Sequence, residues 1–165
     1  MSFFRTFNQH DRKSLVLNIS LAAGAGLAIH AMAFALGWYE DNNFAVPWFT
    51  PPWWAVAAVW LALLALIATT RWMLNEYTVI GVVPARKMIA ALIIVCLLWP
   101  VYSAASGSAM PGLIGTAATT VICLITAVFV WQRSHKSVLP LAPVVLWLAF
   151  TIVIFLEQMG GLQSP

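Results

Sequence analysis

Charge is what this sequence lacks most. Of its 165 residues only 8 are Lys or Arg and 5 are Asp or Glu, while 62% are hydrophobic. A soluble domain carries roughly 25% charged residues. So few charges cannot cover a water-facing surface, so lipid must be the solvent for most of the chain, and no nucleic-acid partner is expected. Cysteine is scarce too. Cys96 and Cys123 both sit inside apolar runs, which argues against a disulfide framework and reads as two buried thiols. The apolar runs also lack a pair of carboxylates, a nucleophile–base set and any metal-ligand spacing. No catalytic residue, metal site or required cofactor follows, and the chain is not expected to be an enzyme.

What is present is apolar sequence in lengths that matter. A helix needs about 20 apolar residues to cross a bilayer. Five stretches qualify, at about 15–37, 52–70, 88–105, 111–131 and 138–156. They predict an all-α integral membrane protein, a single five-helix transmembrane domain over 15–158, with a basic segment 1–14 before it and a tail 159–165 after it. Thr50 is the expected N-cap of the second helix and Pro111 the expected first residue of the fourth. Ala31-Met32-Ala33 has the form of a signal-peptidase site, but the first apolar run is long for a signal peptide and reads as a retained span. Ser20, Ala22, Gly24, Gly26 and Ala28 give that helix small residues suited to close packing.

The few cations are placed unevenly. Arg5, Arg12, Lys13, Arg71, Arg86, Lys87, Arg133 and Lys136 make up all 8 Lys and Arg. With five crossings they fall on one side. The first link, the third link and the tail carry none. Lys and Arg mark the cytoplasmic side, so the N-terminus is expected in the cytoplasm and the C-terminus opposite. This split suits a bacterial inner membrane.

Nine tryptophans are a second excess. Trp38, Trp48, Trp53 and Trp54 lie in or beside the first link, and Trp72 and Trp131 at the cytoplasmic ends, where a belt of interfacial aromatics is expected. Trp60, Trp99 and Trp147 lie deeper. Helical rise places them roughly 10–15 Å inside the outer ends of three different helices. His30 lies about 10 Å inside the first and is the one ionisable group well within a span. Either these are core residues with local hydrogen bonds, or they wall an aromatic cavity that opens outward and suits a large planar ligand. A tetrapyrrole ligand could use His30 as hydrogen-bond donor or axial ligand. The segment Pro47-Trp48-Phe49-Thr50-Pro51-Pro52 is stiff and non-helical, fit to fold over the mouth of the bundle.

Trp38-Tyr39, the Pro47–Pro52 segment, Trp54 and Trp60 together resemble the first-loop signature of the TspO/MBR family, the tryptophan-rich sensory and translocator proteins. Leu98-Trp99-Pro100-Val101-Tyr102 and Pro143-Val144-Val145-Leu146-Trp147 are similar to its third- and fifth-helix segments. The resemblance implies a five-helix bundle, often a homodimer, that binds porphyrins in a pocket closed by the first loop. By position it assigns Trp38 and Tyr39 to that lid, with Trp48 in the loop, and Trp60, Trp99 and Trp147 to the pocket. Cys96 stands where the family has a third-helix asparagine, Leu64 where it has a tyrosine and Phe155 where it has a fifth-helix asparagine. No basic residue follows Lys136, so the family's sterol-recognition pattern is missing.

Three functions follow. One is binding of a porphyrin, haem or other planar hydrophobic molecule for sensing, transport or regulation. The second is light-dependent porphyrin breakdown. The third is a structural or assembly role in a larger pigment or respiratory membrane complex.

Overall fold

The computed structural model describes residues 6–39, 47–78, 80–106 and 108–160, and every regular element among them is helical. In chain order these are α1 (Arg12–Ala35), α2 (Trp53–Met73), α3 (Val82–Leu97), α4 (Trp99–Ser103), α5 (Ala109–Trp131), α6 (His135–Val138) and α7 (Ala142–Gln158). Short 3₁₀ turns extend α2 through Leu74–Glu76 and join α6 to α7 through Leu139–Leu141. The runs Arg12–Ala35, Trp53–Glu76, Ala109–Trp131 and His135–Gln158 are long and apolar enough to cross a membrane.

The stretch expected as one helix at 88–105 is two. It starts earlier, at Val82, and breaks at Leu98. Pro100 explains the break: it has no N–H to give the Cys96 carbonyl four residues back, and its ring crowds that carbonyl. Other boundaries also moved for local reasons. Helix α1 starts at Arg12, not Leu15, because Asp11 caps it, accepting from the Ser14 N–H at 2.7 Å. Thr50 does not cap α2. Pro52 occupies the N-cap position with ψ 150°, and its extended backbone delays the helix to Trp53. Pro111 is the third residue of α5, not the first, where its missing N–H is still one of the helix's orphan donors.

In the bundle, α1 packs mainly on α2, α5 on α7, and α3 and α4 on α5, while α3 only touches α1. The core between them includes Trp60, Leu64, Ile67, Leu92, Cys96 and Leu148. The small residues of α1 divide. Ala22 and Gly26 are buried, whereas Ser20, Gly24 and Ala28 face outward. A Cβ on Gly26 would meet Leu64 Cδ1 at 2.5 Å, which lets α1 and α2 approach closely. Gly81, at φ +93°, caps α3 in a conformation side chains rarely adopt, with the Arg133 guanidinium lying where a Cβ would sit.

At the arginine-rich end, residues 6–11 fold back onto the bundle. The Phe7 carbonyl accepts from Ser14 Oγ (3.0 Å), Asn18 Nδ2 (3.2 Å), Asn75 Nδ2 (3.3 Å) and Arg71 Nη1 (3.4 Å). Arg71 is 8% exposed. Its guanidinium also donates to Asn18 Oδ1 at 2.7 Å and Asn8 Oδ1 at 2.9 Å, and lies 3.7 Å from the Phe7 ring centre. Trp72, expected in an interfacial belt, also joins this knot. Its indole donates to the Asp11 carbonyl at 2.9 Å and its ring stacks on His10 at 4.1 Å.

Removing the Asn18 acceptor leaves a buried charge short of a partner, which costs about 2–3 kcal/mol. Asn18→Leu is therefore expected to lower the thermal unfolding midpoint by several degrees in detergent, while Asn18→Asp, which keeps an acceptor, retains it. A thiol-reactive dye reads this directly, because Cys96 and Cys123 are free and buried in the folded chain.

Candidate functional site

Helix breaks at the opposite end position the aromatic residues. Trp99 is the first residue after the Leu98 break, and its ring lies 5.4 Å from that of Trp60 on α2, the planes inclined at 40°. Trp60 is 1% exposed and Trp99 8%. Trp147, half-buried on α7, packs against Phe150 at 5.6 Å, and Phe150 meets Phe49 of the proline-rich segment at 6.2 Å. The segment turns at Trp48 and Phe49, with the Thr50 N–H donating to the Pro47 carbonyl at 2.9 Å, and Pro52 stays extended, so the chain reaches α7 through Phe49 before α2 begins.

A hollow of about 120 Å³ lies among these elements, lined by Tyr39, Thr50, Trp99, Trp147, Thr151 and Phe155 among others, with Gln158 at its side. Several buried polar atoms in and around it are unpaired. The buried indole N–H groups of Trp60, Trp99 and Trp147 have no hydrogen-bond partner among the described residues, nor has the buried Thr50 hydroxyl. Buried polar atoms are otherwise nearly always paired, and an unmade bond costs about 1–3 kcal/mol. Three orphan donors in one neighbourhood are an invitation to acceptor atoms.

Tyr39 connects the hollow to His30. The two share a hydrogen bond of 2.8 Å, and Tyr39 stacks in turn on Trp53 at 6.3 Å. Burial pushes the Tyr39 phenol up to about 12, so it stays protonated across the physiological range. His30 is thus spoken for by a phenol rather than by a backbone carbonyl.

The structure brings together four of the eight site residues expected from sequence. Tyr39, Trp99 and Trp147 line the hollow, and Trp60 backs it through Trp99. His30 reaches it only through Tyr39. Cys96 is buried in the core nearby without lining it. Trp38 is half-buried and Trp48 is 95% exposed, and neither is on the lining. Sequence reasoning missed Thr50 and Thr151 as lining groups. It also missed how Phe155 gets there: a Cβ on Gly112 would collide with the Phe155 ring, so α5 must be bare at that point. A glycine on α5 facing an aromatic on α7 was the available signal.

The TspO/MBR family profile matches residues 15–158. The chain belongs to the TspO/MBR family. Among curated proteins, none matches it. The match begins three residues inside α1 and ends at the last residue of α7, so it takes in the whole bundle and both faces of the hollow. The chain is thus a TspO-like membrane protein whose indole cluster falls inside the matched region.

Tyr39→Phe would leave the His30 ring without its partner. A loss of about 1–3 kcal/mol is expected, measured as a lower unfolding midpoint in detergent. Trp48→Ala, at an exposed position, should change stability by no more than about 0.5 kcal/mol.

Proposed function

We propose that this TspO-like protein binds planar hydrophobic molecules of the porphyrin or tetrapyrrole class among Trp60, Trp99 and Trp147, for sensing, transport or regulation. The observation that carries this is the set of three buried indole donors without partners, two of them on the lining of one hollow and the third, Trp60, behind Trp99. Carboxylate or pyrrole-nitrogen acceptors of a tetrapyrrole would satisfy them, and indole faces would stack on its plane. The lining is aromatic, hydroxyl and aliphatic with one amide, Gln158, and no ionisable group but the Tyr39 phenol, which suits binding rather than acid–base chemistry. Light-dependent breakdown of a bound porphyrin would use the same indoles.

The donor chemistry fits such a ligand, but the volume as it stands does not. Sites for drug-sized ligands run to roughly 300–1,000 Å³. Uptake therefore requires Phe49 to lift from Phe150 and open the segment over the hollow. The small volume also favours a second reading, a bundle whose duty is packing within a larger pigment or respiratory membrane complex. Co-migration with fixed partners in mild detergent would favour that reading.

The same proposal includes the topology. Helices α3 and α4 together make a fifth crossing, kinked at Leu98. The N-terminus and the basic links face the cytoplasm of a bacterial inner membrane, and the tryptophan end faces away. The exposed Ser20, Gly24 and Ala28 face of α1 supports pairing with a second copy.

Protoporphyrin should quench tryptophan fluorescence saturably, with affinity lowered about tenfold or more in Trp60→Phe and Trp147→Phe, a loss of roughly 1.4 kcal/mol. No saturable quenching, or the same affinity in both variants, would refute the binding site. For topology, a membrane-impermeant maleimide applied to intact spheroplasts should label Ser106→Cys and spare Gln132→Cys. The reverse pattern would invert the orientation.

A further inference from the structure

A second cavity lies at the other end of the molecule. A groove of about 680 Å³ runs between α1 and α3, walled by Leu21, Ala25, Ala90, Ile94 and Leu97 and ending at Arg71, Arg86 and Lys87. Its rim faces outward: Leu21 is 44% exposed and Ile94 59%. Helices α1 and α3 barely touch, so the groove opens sideways, toward lipid.

Among the described residues, the cations at its end meet no carboxylate at ion-pair distance. Arg71 is held by the neutral oxygens of Asn18, Asn8 and Phe7, and Arg86 donates to Asn75 Oδ1 at 3.1 Å. Neutral acceptors orient these groups without cancelling their charge. We propose that the groove binds one phospholipid with an anionic headgroup, its phosphate at Arg86 and Lys87 beside Arg71, and one acyl chain laid along Leu21, Ala25, Ile94 and Leu97.

Dimensions and chemistry select this occupant. From Arg86 to Leu97 helix α3 rises about 16 Å, close to half of the ~30 Å hydrocarbon core, the depth of one leaflet. Away from its polar end, where Asn8 and Asn18 join the three cations, the walls are aliphatic, and Phe7 is the one aromatic on the lining, so they suit a flexible chain better than a flat macrocycle. A free anion would leave the apolar walls unused. A symmetry-related second copy would bring its own basic end against these cations. Anionic lipid headgroups, by contrast, attract Lys and Arg near the membrane surface.

Native mass spectrometry of the full-length protein, released from mild detergent with graded phosphatidylglycerol or phosphatidylcholine of matched chains, tests this. One phosphatidylglycerol should be retained saturably, at least about tenfold more tightly than phosphatidylcholine. Arg86→Gln/Lys87→Gln should erase that preference, and glycerol phosphate should not compete. Ala90→Phe, which narrows the groove without touching charge, should weaken both lipids. Trp60→Phe should leave lipid retention unchanged, which separates this site from the tryptophan hollow. Equal retention of the two lipids, an unaltered preference in the double variant, competition by glycerol phosphate, displacement by protoporphyrin, or a dimer that excludes lipid from the groove would overturn the proposal.

Discussion

Hydrocarbon offers no hydrogen bonds, so each polar atom inside this bundle must be matched from within or left at a cost. The two ends of the molecule answer that constraint in opposite ways. At the arginine-rich end a charged group is buried and hydrogen-bonded to several acceptors. Arg71 has three side-chain and main-chain acceptors and an aromatic face, and the chain before α1 folds back to supply most of them. At the tryptophan end the donors are neutral, and three of them are unmatched. The first arrangement fixes α1, α2 and the N-terminal segment to one another. The second leaves bonding capacity in store.

Close packing determines where that capacity collects. Gly112 admits the Phe155 ring from α7, and Gly115 admits the Tyr102 ring from α4, each at a point where any Cβ would collide. These approaches bring α5 close to α7 and α4, the first of them at the wall of the hollow. The Leu98 break, forced by Pro100, lets Trp99 meet Trp60 across the bundle. Pro52 holds its own backbone extended and the residues before it close a turn from Pro47 to Thr50, so that Phe49 packs on Phe150 and Thr50 lines the hollow instead of extending α2. Backbone punctuation and bare helix faces thus shape the site more than the polar residues do.

The departures from the family pattern take on physical sense in this setting. Cys96, in the place of an asparagine, is buried in the core and off the hollow's lining, so the loss removes polarity from the interior and not from the wall. Phe155, in the place of another asparagine, is on the wall and fills it. Both changes make the interior more apolar and leave the indole N–H groups as its principal donors. His30 does not replace them, because Tyr39 already holds it.

The sequence by itself settled the solvent, the helical class, the family and the list of aromatic candidates, because these depend on composition, run length and motif order. It predicted a common depth for Trp60, Trp99 and Trp147, since helical rise is fixed per residue. It could not say that Trp48 points away, that Thr50 lines a hollow instead of capping a helix, or that Arg71, Asn18 and Phe7 form one knot. Those facts depend on how each helix is turned about its own axis and on where chain segments fold back. Helices that are apolar all round carry no amphipathic stripe to fix that rotation. Only side chains meeting across the bundle decide it, such as Leu64 against Gly26 or Phe155 against Gly112. Pairing of buried donors follows from those meetings, so the site's chemistry belongs to the tertiary structure.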